Sequence, residues 1–221
     1  MGKNKKLAER EQLAPELATE PGPVPVGPRR VLLLRHGQSE QNLTGEDVPD
    51  APLTEAGLQQ ASSWRGQIGQ LGAEVVLISP LRRAVQTACL AFEGEATPMQ
   101  LCRPARELWW DERANTPGSV EQMQRLLKQL PGGGGVRGVQ EALGPEAEDA
   151  ASEQASIALL RDVLSERPEA TVAVVCHWGV INSLCRASAG NCDVLECEYS
   201  RQPGRLKVVR QHRPPGGPRT C

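Results

Sequence analysis

Three short stretches of this 221-residue chain carry residues able to act on an anion. The first, VLLLRHGQSEQN over 31–42, delivers Arg35-His36-Gly37 from an apolar run into a polar turn. The second, Ser79-Pro80-Leu81-Arg82-Arg83, follows the run EVVLIS, and the third, His177-Trp178-Gly179, follows TVAVVC. Near-continuous apolar runs of this kind suit strands buried on both faces of a parallel sheet. In open α/β sheets, ligands bind in the crevice beyond the carboxyl ends of such strands. The chain has three histidines; two stand at these ends, and His212 falls near the C-terminus.

Brought together, the three ends would form a dry pocket of two imidazoles and at least two guanidinium groups, with no carboxylate counterion evident at those ends. Burying cations side by side is unfavourable unless an anion joins them. A phosphoryl group fits, because the planar arginine fork binds its oxygens in pairs. One neutral imidazole can then attack phosphorus while the other donates to the oxygens as charge builds there. The leaving alkoxide needs a proton, and Glu107 is the carboxylate best placed in sequence to give it.

The elements that must hold these residues follow from periodicity. Strands are predicted at 31–35, 74–79, about 98–103 and 171–176. A helix opening at Leu53-Thr54 carries Ala61, Trp64, Ile68 and Leu71 at helical spacing, and another runs from Leu81 to Phe92. Ser119 with Gln122 makes a capping-box start for a helix carrying Val120, Met123, Leu127 and Leu130. PGGGGVRG at 131–138 reads as a flexible break and 139–150 as a mobile loop. A helix at about 151–166 stops before Pro168, a further helix follows His177, and 195–199 with 205–210 form an edge hairpin. Strands alternating with helices imply an α/β fold. The expected form is a three-layer α/β/α sandwich with a mostly parallel central sheet and an antiparallel edge hairpin. The domain is expected over 30–211, with 108–150 a variable cap or loop segment. Residues 1–29 read as a disordered leader, helical at most over 3–14, and 212–221 as a disordered tail.

Bulk properties exclude several classes. A net charge of −2 gives no electrostatic footprint for nucleic acid or an anionic membrane, and no apolar stretch approaches bilayer length. Aromatic residues make up 3%, so the core must be built from Leu, Val, Ile and Ala. Seven cysteines without a signal peptide point to free thiols in a reducing compartment, and the cytoplasm is the expected location. Cys192 and Cys197 have the wrong spacing for a zinc knuckle, so no metal is expected. Lys6 occupies the position where a myristoylation signal wants Ser or Thr. Glu9, Glu11, Glu16 and Glu20 argue against a transit peptide.

The motifs together resemble the histidine phosphatase superfamily, the fold shared with cofactor-dependent phosphoglycerate mutases. RHGQSEQN matches the opening motif of that family, LTEAG (53–57) resembles its loop-to-helix element, SPLRRAVQTA (79–88) its second motif and VVCHWGVI (174–181) its last. The resemblance implies that His36 is the phosphorylated nucleophile, that Arg35, Arg83 and His177 clamp the phosphate, and that Asn42 supports them. In the SPLxRA pattern the functional arginine is Arg83, which leaves Arg82 a solvated neighbour. Arg106-Glu107 fits the family's pair before a variable segment, making Glu107 the favoured proton donor; Glu112-Arg113 resembles the mutase pair and makes Glu112 the rival.

The chain also departs from the pattern. Trp178 stands where the residue is usually small and narrows the substrate entrance, Cys176 replaces Ser or Thr, and Asn182 stands where many members have Arg. RPEATVAVVCHWGV followed by NCDV (191–194) resembles a subgroup of small plant and algal members. The implied activity is metal-independent hydrolysis of phosphomonoesters, of a small metabolite or a phosphoprotein, without a cofactor. Mutase-type phosphoryl transfer and a non-catalytic phospho-ligand-binding module are the alternatives. The Gly-rich break, read as too loose for a water-excluding cap, favours the phosphatase. Trp109 and Trp110 read as packing residues.

Overall fold

The computed structural model describes residues 29–107, 113–147, 150, 152–200 and 205–216. In its sheet β1 (Arg29–Arg35) pairs in parallel with the middle strand β5 (Thr171–Cys176) on one side and antiparallel with β6 (Val194–Ser200) on the other. Beyond β5 lie β2 (Val75–Ile78), β3 (Met99–Leu101) and the two-residue β4 (Val136–Arg137), all parallel; β7 (Arg205–His212) closes the far edge against β6. The order is β4-β3-β2-β5-β1-β6-β7. The mostly parallel sheet with an antiparallel edge hairpin is as expected, with β6 hydrogen-bonded into the sheet centre.

Alternate residues of the central strands feed two cores. Leu32, Leu34, Val76, Ile78, Ala173 and Val175 face α2 (Glu55–Ser62) and α3 (Arg82–Ala91). Val31, Leu33, Val75, Leu77, Val172 and Val174 face α6 (Glu153–Glu166) and α7 (Trp178–Cys185). Both faces are covered, which is why these strands read as unbroken apolar runs. The remaining helices are α1 (Glu40–Thr44), α4 (Val120–Gln129) and α5 (Val139–Leu143). The capping box of α4 forms as expected: Ser119 Oγ accepts from the Gln122 amide, and Gln122 Oε1 from the Ser119 amide.

Two expectations about local structure are corrected. The helix from Thr54 does not continue to Leu71. It ends at Ser62, and Ile68–Leu71 form a 3-10 turn, because Gly66 takes the left-handed conformation at φ 70°. Ala61, Trp64 and Ile68 are still buried in one core, the Trp64 ring nitrogen donating to the Cys192 carbonyl at 2.8 Å. The Gly-rich run is not a flexible break, and 139–150 is not wholly a loop. Gly132 and Gly138 adopt left-handed φ values of 66° and 79°, which turn the chain so that Val136 pairs with Met99 and α5 follows. Part of the variable segment is thus built into the sheet edge. Residues 1–28, Trp109, Trp110 and the last five residues lie outside the described residues. Arg29 already belongs to β1, and His212 ends β7 rather than opening a disordered tail, because each is paired in the sheet.

Candidate active site

The register of β1 against β5 positions the histidines. Arg35 is paired with Cys176, and the His36 amide donates to the Cys176 carbonyl at 3.0 Å, so His36 and His177 leave adjacent strands side by side. Their ring centroids are 5.0 Å apart with planes tilted by 53°. On the other side of β5, Ile78 pairs with Val175 and the Ser79 amide donates to the Val175 carbonyl. The ends of β1, β5 and β2 are therefore consecutive in the sheet, as a crevice site requires.

Both histidines are buried, yet their rings are held differently. His36 Nδ1 lies 2.7 Å from the Gly37 carbonyl oxygen. A carbonyl only accepts, so Nδ1 carries the proton and Nε2 keeps its lone pair. Burial pulls the His36 pKa well below the usual imidazole range, reinforced by the Arg83 and Arg35 guanidinium groups. His177 is lowered in the same sense, by burial and then by Arg83, His36, Arg35 and Arg106. Its Nε2 lies 2.7 Å from Ser79 Oγ, and its buried Nδ1 has no hydrogen-bond partner among the described residues. Both imidazoles are thereby held toward the neutral form.

The arginines come from different elements. Arg83, second residue of α3, is 1% exposed; its Nη1 donates to the Ala114 carbonyl at 2.8 Å and its Nη2 to Asn115 Oδ1 at 2.7 Å. Arg35 donates through Nη1 to the Ala189 carbonyl at 2.8 Å, while its buried Nε has no partner among the described residues. No carboxylate stands at the three strand ends themselves, but two from elsewhere in the chain act on Arg35. Burial lowers the Arg35 pKa, while Glu107 and Asp193, both close enough to act on it, raise it.

Glu107 lies at the first turn of α7, where Oε2 accepts the Gly179 amide at 2.8 Å. A Cβ at Gly179 would collide with that carboxylate, so the glycine leaves room for it. The rival Glu112 lies outside the described residues. Asn42 is the third helical residue of α1: its Oδ1 accepts the Ser39 amide at 3.3 Å and Asn191 Nδ2 at 3.2 Å. Asn191 Nδ2 also donates to the His36 carbonyl at 3.0 Å, linking Asn42 to the His36 loop. Trp178 begins α7, its ring nitrogen donating to Ser188 Oγ at 2.9 Å. Cys176 is fully buried, and burial pushes its thiol pKa far up, as befits a packing residue.

Contacts that local patterns did not reveal complete the site. Thr87 Oγ1 accepts the Gly37 amide at 3.0 Å, and Arg106 Nη1 donates to the Asn115 carbonyl at 2.9 Å. Asp193 takes the Gly190 amide at 2.8 Å and Gln211 Nε2 at 2.7 Å, fixing the turn beside Arg35. Ser79 stood in a recognised motif, but its hold on His177 depends on the β2–β5 register. The loop that carries His36 also accounts for LTEAG. Thr54 caps α2, and its amide donates to the Gln38 carbonyl at 2.9 Å, while a Cβ at Gly57 would drive into the Gln38 backbone.

Known proteins resemble this chain in sequence and in fold. An adenosylcobalamin/alpha-ribazole phosphatase from Salmonella typhi is 35% identical over 89 residues, 38% of this chain and 44% of its own length. A phosphoglycerate mutase-like protein from Arabidopsis thaliana is 36% identical over 93 residues, 33% of this chain and 34% of that protein. These matches span less than half the length of either relative. Among solved structures, a mycobacterial glucosyl-3-phosphoglycerate phosphatase in complex with VO3 superposes with a TM-score of 0.54 at 20% identity, covering 84% of this chain and 98% of that one. A phosphoglycerate mutase from Bacillus anthracis gives a TM-score of 0.55 at 20% identity, over 82% and 92%. With the model of the histidine phosphatase superfamily (branch 1) matching residues 31–199, a span that runs from β1 through most of β6, the chain belongs to that superfamily.

Proposed function

We propose that the protein hydrolyses phosphomonoesters through a phosphohistidine formed on His36. The observation that carries this is the Nδ1–H to Gly37 carbonyl bond, which presents a neutral Nε2 lone pair beside His177 and two arginines. The phosphoryl dianion is held by the Arg35 and Arg83 guanidinium groups and by a proton on His177 Nδ1, which the Ser79 hydroxyl keeps there by donating to Nε2. Asn42 supports the loop on which His36 stands. His36 Nε2 forms the N–P bond as the ester P–O bond breaks, and the Glu107 carboxyl gives its proton to the leaving oxygen. The Glu107 carboxylate then takes a proton from water, whose oxygen attacks phosphorus. The N–P electron pair returns to Nε2, and inorganic phosphate leaves.

The arginines supply the charge stabilisation of the transferring group, so the reaction needs no metal. The substrate class is a small phosphorylated metabolite, in keeping with relatives named as phosphatases of such molecules. The free thiols of all six described cysteines support a reducing compartment, the cytoplasm. Among the described residues no helix is long and apolar enough to cross a membrane.

The test is turnover of a chromogenic aryl phosphate in EDTA, with acid-quenched enzyme examined for phosphohistidine. Hydrolysis that persists in EDTA and disappears with the phosphoenzyme in His36→Ala is the expected result. Flux from phosphoglycerate with bisphosphoglycerate exceeding hydrolysis would establish the mutase reaction instead. The mutase keeps its place as the alternative because the Gly-rich run is ordered into the sheet edge. Phosphate-competitive binding without turnover would establish a binding module.

A further inference from the structure

Beside the catalytic crevice, on the other side of residues 113–118, lies a cleft of about 610 Å³. Three arginines line it from three segments: Arg82 on α3, Arg113 on the stretch before α4 and Arg125 on α4. Asp50 is the one acidic residue among the described lining. Both its oxygens are taken by backbone, Oδ1 by the Arg82 amide at 2.8 Å and Oδ2 by the Gly118 amide at 3.2 Å. Its own amide donates to the Arg113 carbonyl at 3.1 Å. Asp50 holds this arrangement at a φ of 40°, a conformation unfavourable to a non-glycine residue. It fixes the backbones of two arginine-bearing segments without forming an ion pair with any of the three side chains among the described residues. Met123 and Leu126 give the cleft an apolar wall.

Like charges gathered in a concavity focus the field there and concentrate counter-ions. The chain as a whole is net negative, so this cationic cleft is local rather than a general property of the surface. The wall it shares with the crevice holds the phosphate clamp: the Ala114 carbonyl and Asn115 side chain are the groups that receive Arg83. We propose that the cleft is an effector site for a small molecule bearing two or more phosphate or carboxylate groups, and that its occupancy adjusts Arg83 through residues 113–116. An anion drawn between Arg82, Arg113 and Arg125 bears on both ends of the segment that positions Arg83. This goes beyond the catalytic reading and does not depend on turnover.

The experiment is calorimetric titration of the full chain, at fixed ionic strength, with inorganic tripolyphosphate and separately with citrate. The crevice is filled throughout with phenylphosphonate, a non-hydrolysable monoester analogue. Binding of at least one polyanion in its presence is expected. It should weaken about ten-fold or more in the Arg82→Gln/Arg125→Gln double variant and less than about two-fold in Arg137→Gln, a single-charge control on β4. The tighter probe identifies the phosphate or carboxylate source. Coupling is read as a change of about three-fold or more in phenylphosphonate affinity when the polyanion saturates, lost in the double variant. Binding of neither probe, displacement by phenylphosphonate, or equal weakening in Arg137→Gln overturns the site. A bound polyanion that leaves phenylphosphonate affinity unchanged overturns the effector role.

Discussion

His36 and His177 are the same residue type in the same crevice, yet their second ring nitrogens face different partners, and in the proposed mechanism that difference divides their labour. A carbonyl at Nδ1 permits one tautomer at His36, whereas a hydroxyl at Nε2 can donate or accept at His177. Ser79 is itself anchored, since Oγ also accepts the Leu81 amide at 3.3 Å, which leaves its own hydrogen free for the ring. Replacing Ser79 by Ala removes the orienting bond while leaving the nucleophile intact. The loss of one hydrogen bond to a group that meets developing charge predicts a fall in kcat of about ten-fold. Ser79→Thr should recover most of it. An unchanged kcat in Ser79→Ala would show that packing alone orients His177.

At the scale of elements, the site depends on close backbone approach and on caps rather than on long helices. α2 supports the His36 loop: Gly57 in its first turn lies against the Gln38 backbone, and that backbone has no flexible end to move aside. Gly57→Ala is expected to destabilise by about 1–3 kcal/mol, the usual cost of overpacking, as a lower urea midpoint. Activity should fall as well, because the displaced loop carries His36. α4 offers a milder comparison. Ser119→Ala removes one half of a formed capping box and should cost about 1 kcal/mol, with little effect on turnover. A larger loss from Ser119→Ala than from Gly57→Ala would contradict this ranking.

For the whole molecule, two buried neutral histidines make stability depend on pH. Both have pKa values well below the ordinary 6.5, so in acid the unfolded chain binds protons that the native state refuses. Their contribution is fully present above about pH 6.5 and is lost as pH falls from there toward their native values. Most carboxylates titrate below this window. The urea midpoint should therefore drop between about pH 7.5 and 5.5. The drop should be smaller in His177→Asn, which removes one of the two buried imidazoles. A wild-type midpoint that stays level or rises on acidification would mean that the crevice admits protons freely. A bound phosphate should oppose the loss by binding only the native state.

Much of the crevice was legible in the residues themselves. Apolar runs ending in Arg35-His36, Ser79 and His177 announced central strands with chemistry at their tips, because burial on both faces forces such runs. Ser119 with Gln122 marked a helix start because a cap is local. What the sequence left undecided depends on contacts between distant residues. Asn191 reaches the His36 carbonyl across 155 positions, Asn115 receives Arg83 across 32, and Asp193 joins Arg35 only because β6 pairs with β1. Local propensity misread Gly132 and Gly138 as looseness, because their left-handed turns gain meaning only when β3 stands ready to pair with Val136. The sequence by itself determined the residue types, their strand ends and the family pattern. The tertiary structure decided the register that sets two imidazoles side by side, the tautomer of His36 and the arginine-lined cleft behind the clamp, since each is a relation in space between segments far apart in the chain.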